Sequence, residues 1–358
     1  MKHLELIREL TLAHGVSGFE GEVRKLIKKH LEGQAQFSQD NLGSLICMKR
    51  GSQESPKIML PGHMDEVGFM VNSITKNGYI KFIPLGGWWD QVMLAQKVII
   101  KTSKGDIQGI IGSTPPHLMS AKEREKIVEK KDMFIDVGAK DREEAQEVMG
   151  IQPGDPIVPD TTFHVLNGTR MIMAKALDDR LGCCLFIDVI KALQDIPHPN
   201  TVYGVGTVQE EVGLRGATTT ANVIEPDICL TMEVAIATDV PGLEKEDAEV
   251  KLGDGPVLTL ADASMIGNRN LRSFVIETAK KENIPLQFNT MMGGGTDGGA
   301  IHKFGPGVPT VVLGIPSRYI HSHYGVFHYD DYENTVKLLL SLIKALDSGT
   351  VNRIKLGE

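Results

Sequence analysis

The run Val202-Tyr203-Gly204-Val205-Gly206-Thr207-Val208 leads almost at once into Glu210 and Glu211, with glycines close behind. A segment that is apolar along its whole length, rather than at alternate positions, reads as a strand covered on both faces. That constrains the fold, because helices must then lie on either side of the sheet. The adjacent carboxylates at the strand's mouth repel each other and lose hydration there. A nearby cation, or a chemical task, has to offset that cost.

The surrounding sequence supplies the helices. Residues Asp179 to Asp195 read as a helix before the strand, and Ile228 to Met232 as a strand after it. A helix over Asn270 to Glu282, strands over Leu286 to Asn289 and Thr310 to Leu313, and a helix over Tyr332 to Leu346 complete the pattern. Near the N-terminus, Leu4, Ile7, Leu10 and Leu12 mark one amphipathic helix, and Val23, Leu26, Ile27 and Leu31 another. Strands follow at Ser44 to Lys49 and Lys57 to Leu60. From Gly68 to Val165 the texture changes to short alternating segments, such as Tyr79 to Ile83 and Lys97 to Lys101, beside turn pairs Asn77-Gly78 and Lys104-Gly105. The charged stretch Ser120 to Asp132 predicts a surface helix. The expected class is α/β: a mixed-sheet domain from residues 1–65 and 166–358, interrupted over 66–165 by a β-rich domain.

Charge narrows the partners. The net charge of −8 comes without a long basic run, which argues against nucleic acid or an anionic membrane. No stretch approaches the ~20 apolar residues of a membrane span, and the N-terminus lacks a secretory apolar core. Cys47, Cys183, Cys184 and Cys229 show no CxxC spacing and read as buried free thiols. A cytoplasmic protein is expected.

Several metal-binding side chains fall at the ends of inferred core strands. His63 and Asp65 follow the Lys57 strand, Glu233 follows Met232, and His321 lies in Arg318-Tyr319-Ile320-His321-Ser322-His323. Asp178 and Asp179 open a helix. The carboxyl ends of strands and the neighbouring helix N-termini form one crevice in an α/β sheet, so these groups can meet Glu210 and Glu211. Imidazole and carboxylate together suit a divalent cation. Asp65, two residues beyond His63 on an extended segment, can orient the second imidazole nitrogen. Each group also has an ordinary reading: Asp178 or Asp179 as a helix cap, either histidine as a hydrogen-bonded core residue, Glu233 as a solvated strand end. Five such coincidences at strand ends are harder to accept than one site.

Other chemistries compete. Gly293-Gly294-Gly295-Thr296-Asp297-Gly298 formally fits a dinucleotide-binding loop, but Asp297 would repel phosphate there. A glycosidase would use paired carboxylates without needing the histidines, and a non-catalytic scaffold would need none of these groups. Dependence on two ions separates the first reading from the rest.

The segments PGHMDEVGFMV, KALDDRLGC, VQEEVGLRGA, GGGTDGGAIH and RYIHSHYGVFHYDDYENTVKLL together resemble the tetrahedral-aminopeptidase family, relatives of glutamyl aminopeptidase among the two-metal exopeptidases. MFIDVGAKDREEAQEVMGIQPGD resembles the segment preceding that family's third motif block, and the likeness runs from about Gly15 to Leu346. The resemblance implies a zinc-exopeptidase-like catalytic domain with a barrel or PDZ-like insert. It implies Asp178 as a carboxylate bridging two ions, Zn²⁺ or Co²⁺, with His63 and Glu233 completing one site and Glu211 and His321 the other. Glu210 would be the general base and Asp65 the orienting carboxylate, with water between the ions as nucleophile and short peptides as substrates. A homododecamer of tetrahedral shape, built from dimers through the insert, is also implied. Glu233 departs from the family's usual Asp and lengthens that arm, and His323 competes with His321 for its place. A glutamyl preference would require a basic group, for which Arg318 and Lys303 are candidates.

Overall fold

The apolar run is a central strand, paired on both sides and buried. The computed structural model describes residues 1–243 and 250–357. Strands β1 (Gln36–Gln39), β2 (Leu45–Arg50) and β3 (Lys57–His63) come first. Then follow β4 (Gly68–Ile74), β5 (Ile80–Leu85), β6 (Lys97–Thr102), β7 (Gly105–Gly112), β8 (Phe134–Asp136) and β9 (Pro156–Pro159). The remainder are β10 (His164–Val165), β11 (Met171–Ala174), β12 (Thr201–Thr207), β13 (Ile228–Ile236), β14 (Val257–Asp262), β15 (Gln287–Met291), β16 (Thr310–Arg318) and β17 (Gly325–His328). Helices α1 (Leu4–Leu12) and α2 (Gly21–His30) precede them, and α3 (Ala121–Arg124) falls between β7 and β8. Later helices are α4 (Leu177–Ala192), α5 (Arg215–Ile224), α6 (Arg269–Lys281), α7 (Gly298–Ile301), α8 (Tyr329–Ala345) and α9 (Ser348–Leu356).

The main sheet is mixed, ordered β1-β2-β12-β3-β13-β16-β17-β11-β10, with β14 joined to β15 and β16. Its centre is parallel: β12 with β3, β3 with β13, and β13 with β16. Period-two alternation sends neighbouring side chains to opposite faces. Ile58 and Leu60 of β3 join the large core with Leu181, Leu185 and Phe186 of α4, whereas Met59 packs with Ala217 and Ala221 of α5. Buried on nearly every side, α4 explains why Cys183 and Cys184 are inaccessible, and all four cysteines are free. It approaches β3 closely: a Cβ on Gly62 would lie 2.6 Å from the carbonyl carbon of Gly182.

Strands β4 to β9 close a separate barrel in the order β4-β5-β8-β7-β6-β9. It has its own apolar interior, including Phe69, Ile80, Val98, Ile100, Ile135 and Ile157. The last barrel strand ends at Pro159, and His164–Val165 already pairs with β11 of the main sheet. The helix expected over Ser120 to Asp132 is only one turn, α3, started by a capping box between Ser120 and Glu123. Beyond it Ile127 is exposed, so no apolar stripe anchors a longer helix, and Lys130 turns back to pair with Asp90. No helix among the described residues is long and apolar enough to cross a membrane.

Candidate metal centre

Because β3, β12, β13 and β16 are parallel, their carboxyl ends share one edge of the sheet. His63 ends β3 opposite Thr207 of β12, and the chain turns there into Glu210 and Glu211. Glu233 is not at a strand end as its sequence suggested, because β13 continues to Ile236 and pairs Val234, Ala235 and Ile236 with Ile315, Pro316 and Ser317. β16 leads through Tyr319 to His321, and the start of α4 contributes Asp178.

These side chains converge. The ligand atoms of His63, Asp178 and Glu233 lie within 4.8 Å of one another, and so do those of Asp178, Glu211 and His321. Asp178 belongs to both groups, with one oxygen for each histidine: Oδ1 is 3.0 Å from His63 Nε2 and Oδ2 is 3.2 Å from His321 Nε2. His321 Nε2 is also 3.4 Å from Glu211 Oε2, while Glu210 Oε2 and Glu233 Oε1 each lie 3.9 Å from His63 Nε2.

The contacts behind these groups differ in part from the sequence reading. His63 Nδ1 is 2.9 Å from the backbone oxygen of Asp65, but 3.5 Å from its carboxylate. That carboxylate instead accepts from the backbone amides of Glu210 and Glu211, at 3.0 and 3.2 Å, and from the Ser17 hydroxyl at 2.6 Å. Asp65 thus fixes the glutamate turn, and its carbonyl orients the imidazole. The Asp-Asp pair divides its labour. Asp179 accepts from Gly182 N at 2.9 Å and His63 N at 3.2 Å, so the capping reading fits it, while Asp178 faces the cluster. His321, at φ +55°, is held at Nδ1 by the Gly87 carbonyl from the barrel, 2.7 Å away. Asp297 sits behind the site and accepts from the Thr207 hydroxyl.

Sequence reasoning passed over Ser17, Gly87, Lys175 and Glu66. Lys175 Nζ is 2.6 Å from Glu66 Oε2, and Arg180 donates to the carbonyls of Leu10, Ala13 and Gly15. These fully buried charges tie the end of α1, the segment between β3 and β4, and the start of α4 together next to the cluster. A buried pair adds little net stability, but removing either partner would leave the other's charge buried and uncompensated. A lysine and an acid more than a hundred residues apart give no local signal.

The crowding of acids has electrostatic consequences. Burial, then the Asp178 charge, raises Glu211 to about 8. Burial likewise pushes Glu233 and Glu210 well above the usual carboxylate range, with neighbouring carboxylates adding to it. Burial disfavours the charged form of His321, but its contact with Asp178 outweighs that and lifts it to about 9. His63 is raised on the same balance, and Asp178, between two imidazoles, is lowered despite burial. Glu211 Oε1 is buried without a hydrogen-bond partner. An acid-rich cluster of imidazole and carboxylate with an orphaned oxygen fits divalent cations. His323 stands apart: it is buried against Trp88, ring centroids 5.3 Å apart, and neither ring nitrogen has a partner.

A cavity of about 840 Å³ opens over the cluster, lined by Asp178, Glu210, Glu211, Glu233 and His321 at one end. The profile of the M42 glutamyl aminopeptidase family matches residues 43–338. The chain belongs to that family. M42 membership makes it a hydrolase of the metal-dependent aminopeptidase type. A TET aminopeptidase from the marine sediment archaeon Thaumarchaeota archaeon SCGC AB-539-E09 is 50% identical, covers 99% of both chains and superposes with a TM-score of 0.96. The TET1 peptidase of Pyrococcus horikoshii, which can assemble into a tetrahedron or a large octahedral shell, is 34% identical over 96% of this chain and 100% of its own, with a TM-score of 0.85. The lysyl aminopeptidase of Pyrococcus furiosus is 37% identical over 96% of this chain and 97% of its own length.

Proposed function

We propose that this M42 protein is a dinuclear metallo-aminopeptidase that removes N-terminal residues from short peptides. The observation that carries the reading is the pair of ligand groups sharing Asp178, one oxygen toward each histidine. His63 and Glu233 would hold one cation, Glu211 and His321 the other, with Asp178 common to both. Two such cations, Zn²⁺ or Co²⁺, would acidify a water and polarise the scissile carbonyl.

The chain's own groups do the rest. Glu210 lies beside the cluster on the turn fixed by Asp65. Its carboxylate takes a proton from the attacking water as the oxygen joins the carbonyl carbon. It then delivers that proton to the departing amine nitrogen as the C–N bond breaks. Burial favours its neutral form, and the two cations would offset that, leaving a carboxylate able both to take and to release a proton. The histidines in both ligand groups favour this reading over a glycosidase or an inert scaffold.

The four free buried cysteines support a reducing, cytoplasmic setting. A homo-oligomer, a tetrahedral dodecamer built from dimers through the barrel, is part of the proposal. Trp89, Leu118 and Val148 of the insert are 61%, 79% and 70% exposed, the kind of apolar surface a second copy would cover.

The test is hydrolysis of aminoacyl-p-nitroanilides and their N-acetylated counterparts, before chelation, after it, and after Zn²⁺ or Co²⁺ is restored. Cleavage of free-amine substrates only, lost with chelator and regained with metal, is expected. Equal cleavage of the acetylated series would overturn the exopeptidase reading.

A further inference from the structure

The wall of the cavity beyond the metal centre says which N-terminal residue fits. β13 carries Glu233 and runs on along the cavity to Ile236, so Val234 and Ile236, two positions apart on one face of the strand, line it, and Thr238 lines it just beyond the strand's end. Val250, Met291 and Ile320 line it as well. Among the described residues, the only charged or titratable side chains in the lining are the ligand-cluster groups and Glu210.

The basic groups that the sequence offered do not reach it. Arg318 is held by Asp239 through two hydrogen bonds of 2.8 and 2.6 Å, and Asp239 also accepts from Leu252 N at 3.0 Å. Lys303 is exposed and does not line the cavity. Apart from the ligand cluster and Glu210, the polar groups that line it among the described residues are neutral. Asn289 is 9% exposed with its amide oxygen unpartnered, and Thr290 and Thr296 also line the cavity. An amide or hydroxyl can bond a neutral group or a trapped water, but it does not neutralise a charge that loses its hydration.

We infer that this wall is the side-chain subsite for the first residue of the substrate, and that it selects uncharged, predominantly aliphatic residues of leucine or methionine size. This rests on the aminopeptidase reading. Among the described residues no cation would meet an entering glutamate side chain, and four carboxylates already belong to the centre. A lysine would leave its ammonium against aliphatic carbon. Ile236, midway along the wall and 47% exposed, is the specificity-determining position: a charge placed there would face the substrate without disturbing the core.

The experiment compares kcat/KM for leucyl, methionyl, glutamyl and lysyl p-nitroanilides on the metal-loaded protein and on Ile236→Arg. Leucyl and methionyl substrates should exceed the charged pair by about a hundredfold or more, the scale on which an unpaired polar group is rejected. Ile236→Arg should raise the glutamyl-to-leucyl ratio at least about tenfold. A lead for the glutamyl or lysyl substrate would overturn the inference, and so would an unchanged ratio in the variant. Calorimetric binding of leucine, glutamate and lysine hydroxamates to the metal-loaded protein keeps the two questions apart. If no substrate turns over, the reaction reading fails, while the hydroxamate ranking still decides the subsite: leucine first upholds it, either charged one first overturns it.

Discussion

Glu210 and Glu211 adjoin in sequence but face different tasks, and substitution separates them. Glu210→Gln keeps the shape and loses the proton carrier, so turnover should fall by roughly 10²–10⁴-fold while bound metal stays unchanged. Near-wild-type turnover would remove Glu210 from its role. Likewise His321→Ala should lower metal content measured by elemental analysis, whereas His323→Ala should not, since His323 packs on Trp88 away from Asp178. The reverse result would exchange them. The raised carboxyl of Glu211, about 8 against an ordinary 4.5, and the raised imidazole of His321, about 9 against 6.5, set the pH behaviour of the metal-free protein. Across that window the folded chain binds more protons than the unfolded one, so its stability should decline as pH rises from about 5 to 9. Metal must displace those protons, so its affinity should climb over the same range. Melting curves with and without metal across pH would check both signs, and a metal-free Tm that rises with pH would contradict them. At this scale the side chains that cluster were legible, because charged groups after apolar runs are conspicuous. The hydrogen bonds of Asp65 were not: i and i+2 place it beside His63, but only the fold brings the Glu210 and Glu211 amides to its carboxylate.

At the level of elements, the site depends on how closely β3 and α4 approach. Gly62→Ala would set a Cβ 2.6 Å from Gly182 and 3.0 Å from Asp179 Oδ2, disturbing the strand that carries His63 and the cap beside Asp178. Overpacking of this kind costs about 1–3 kcal/mol. Denaturant unfolding should show that loss, and a variant within about 0.5 kcal/mol of wild type, the range of a neutral surface change, would mean the contact relaxes freely. The α/β order and the barrel texture could be read from hydrophobic period and turn pairs. The length of β13 could not, since Glu233 interrupts the apolar run that marks a buried strand. The ladder to β16 carries the strand past the charge because its carboxylate has a cluster to enter. The short helix α3 shows the opposite error, where a charged stretch had helical propensity but no core to pack against. The Gly87 carbonyl behind His321 joins barrel to centre across more than two hundred residues, a contact no local pattern announces.

In the whole molecule one sheet edge gathers the acids; the proposed cations would neutralise them, and the proposed assembly would limit access to short peptides. Light scattering on the purified protein should give the mass of a dodecamer, and a monomer at micromolar concentration would contradict that part of the proposal. On the proposed mechanism two ions share Asp178 and hydrolysis needs both. This is tested most directly by stripping the protein with chelator and adding back Co²⁺ or Zn²⁺ stepwise. Bound metal per chain and hydrolysis of a free-amine substrate are followed together. Saturation at two ions per chain is expected, with activity reaching its plateau only as the second site fills. Full activity in the stripped protein, or a plateau with no more than one ion bound, would contradict that mechanism.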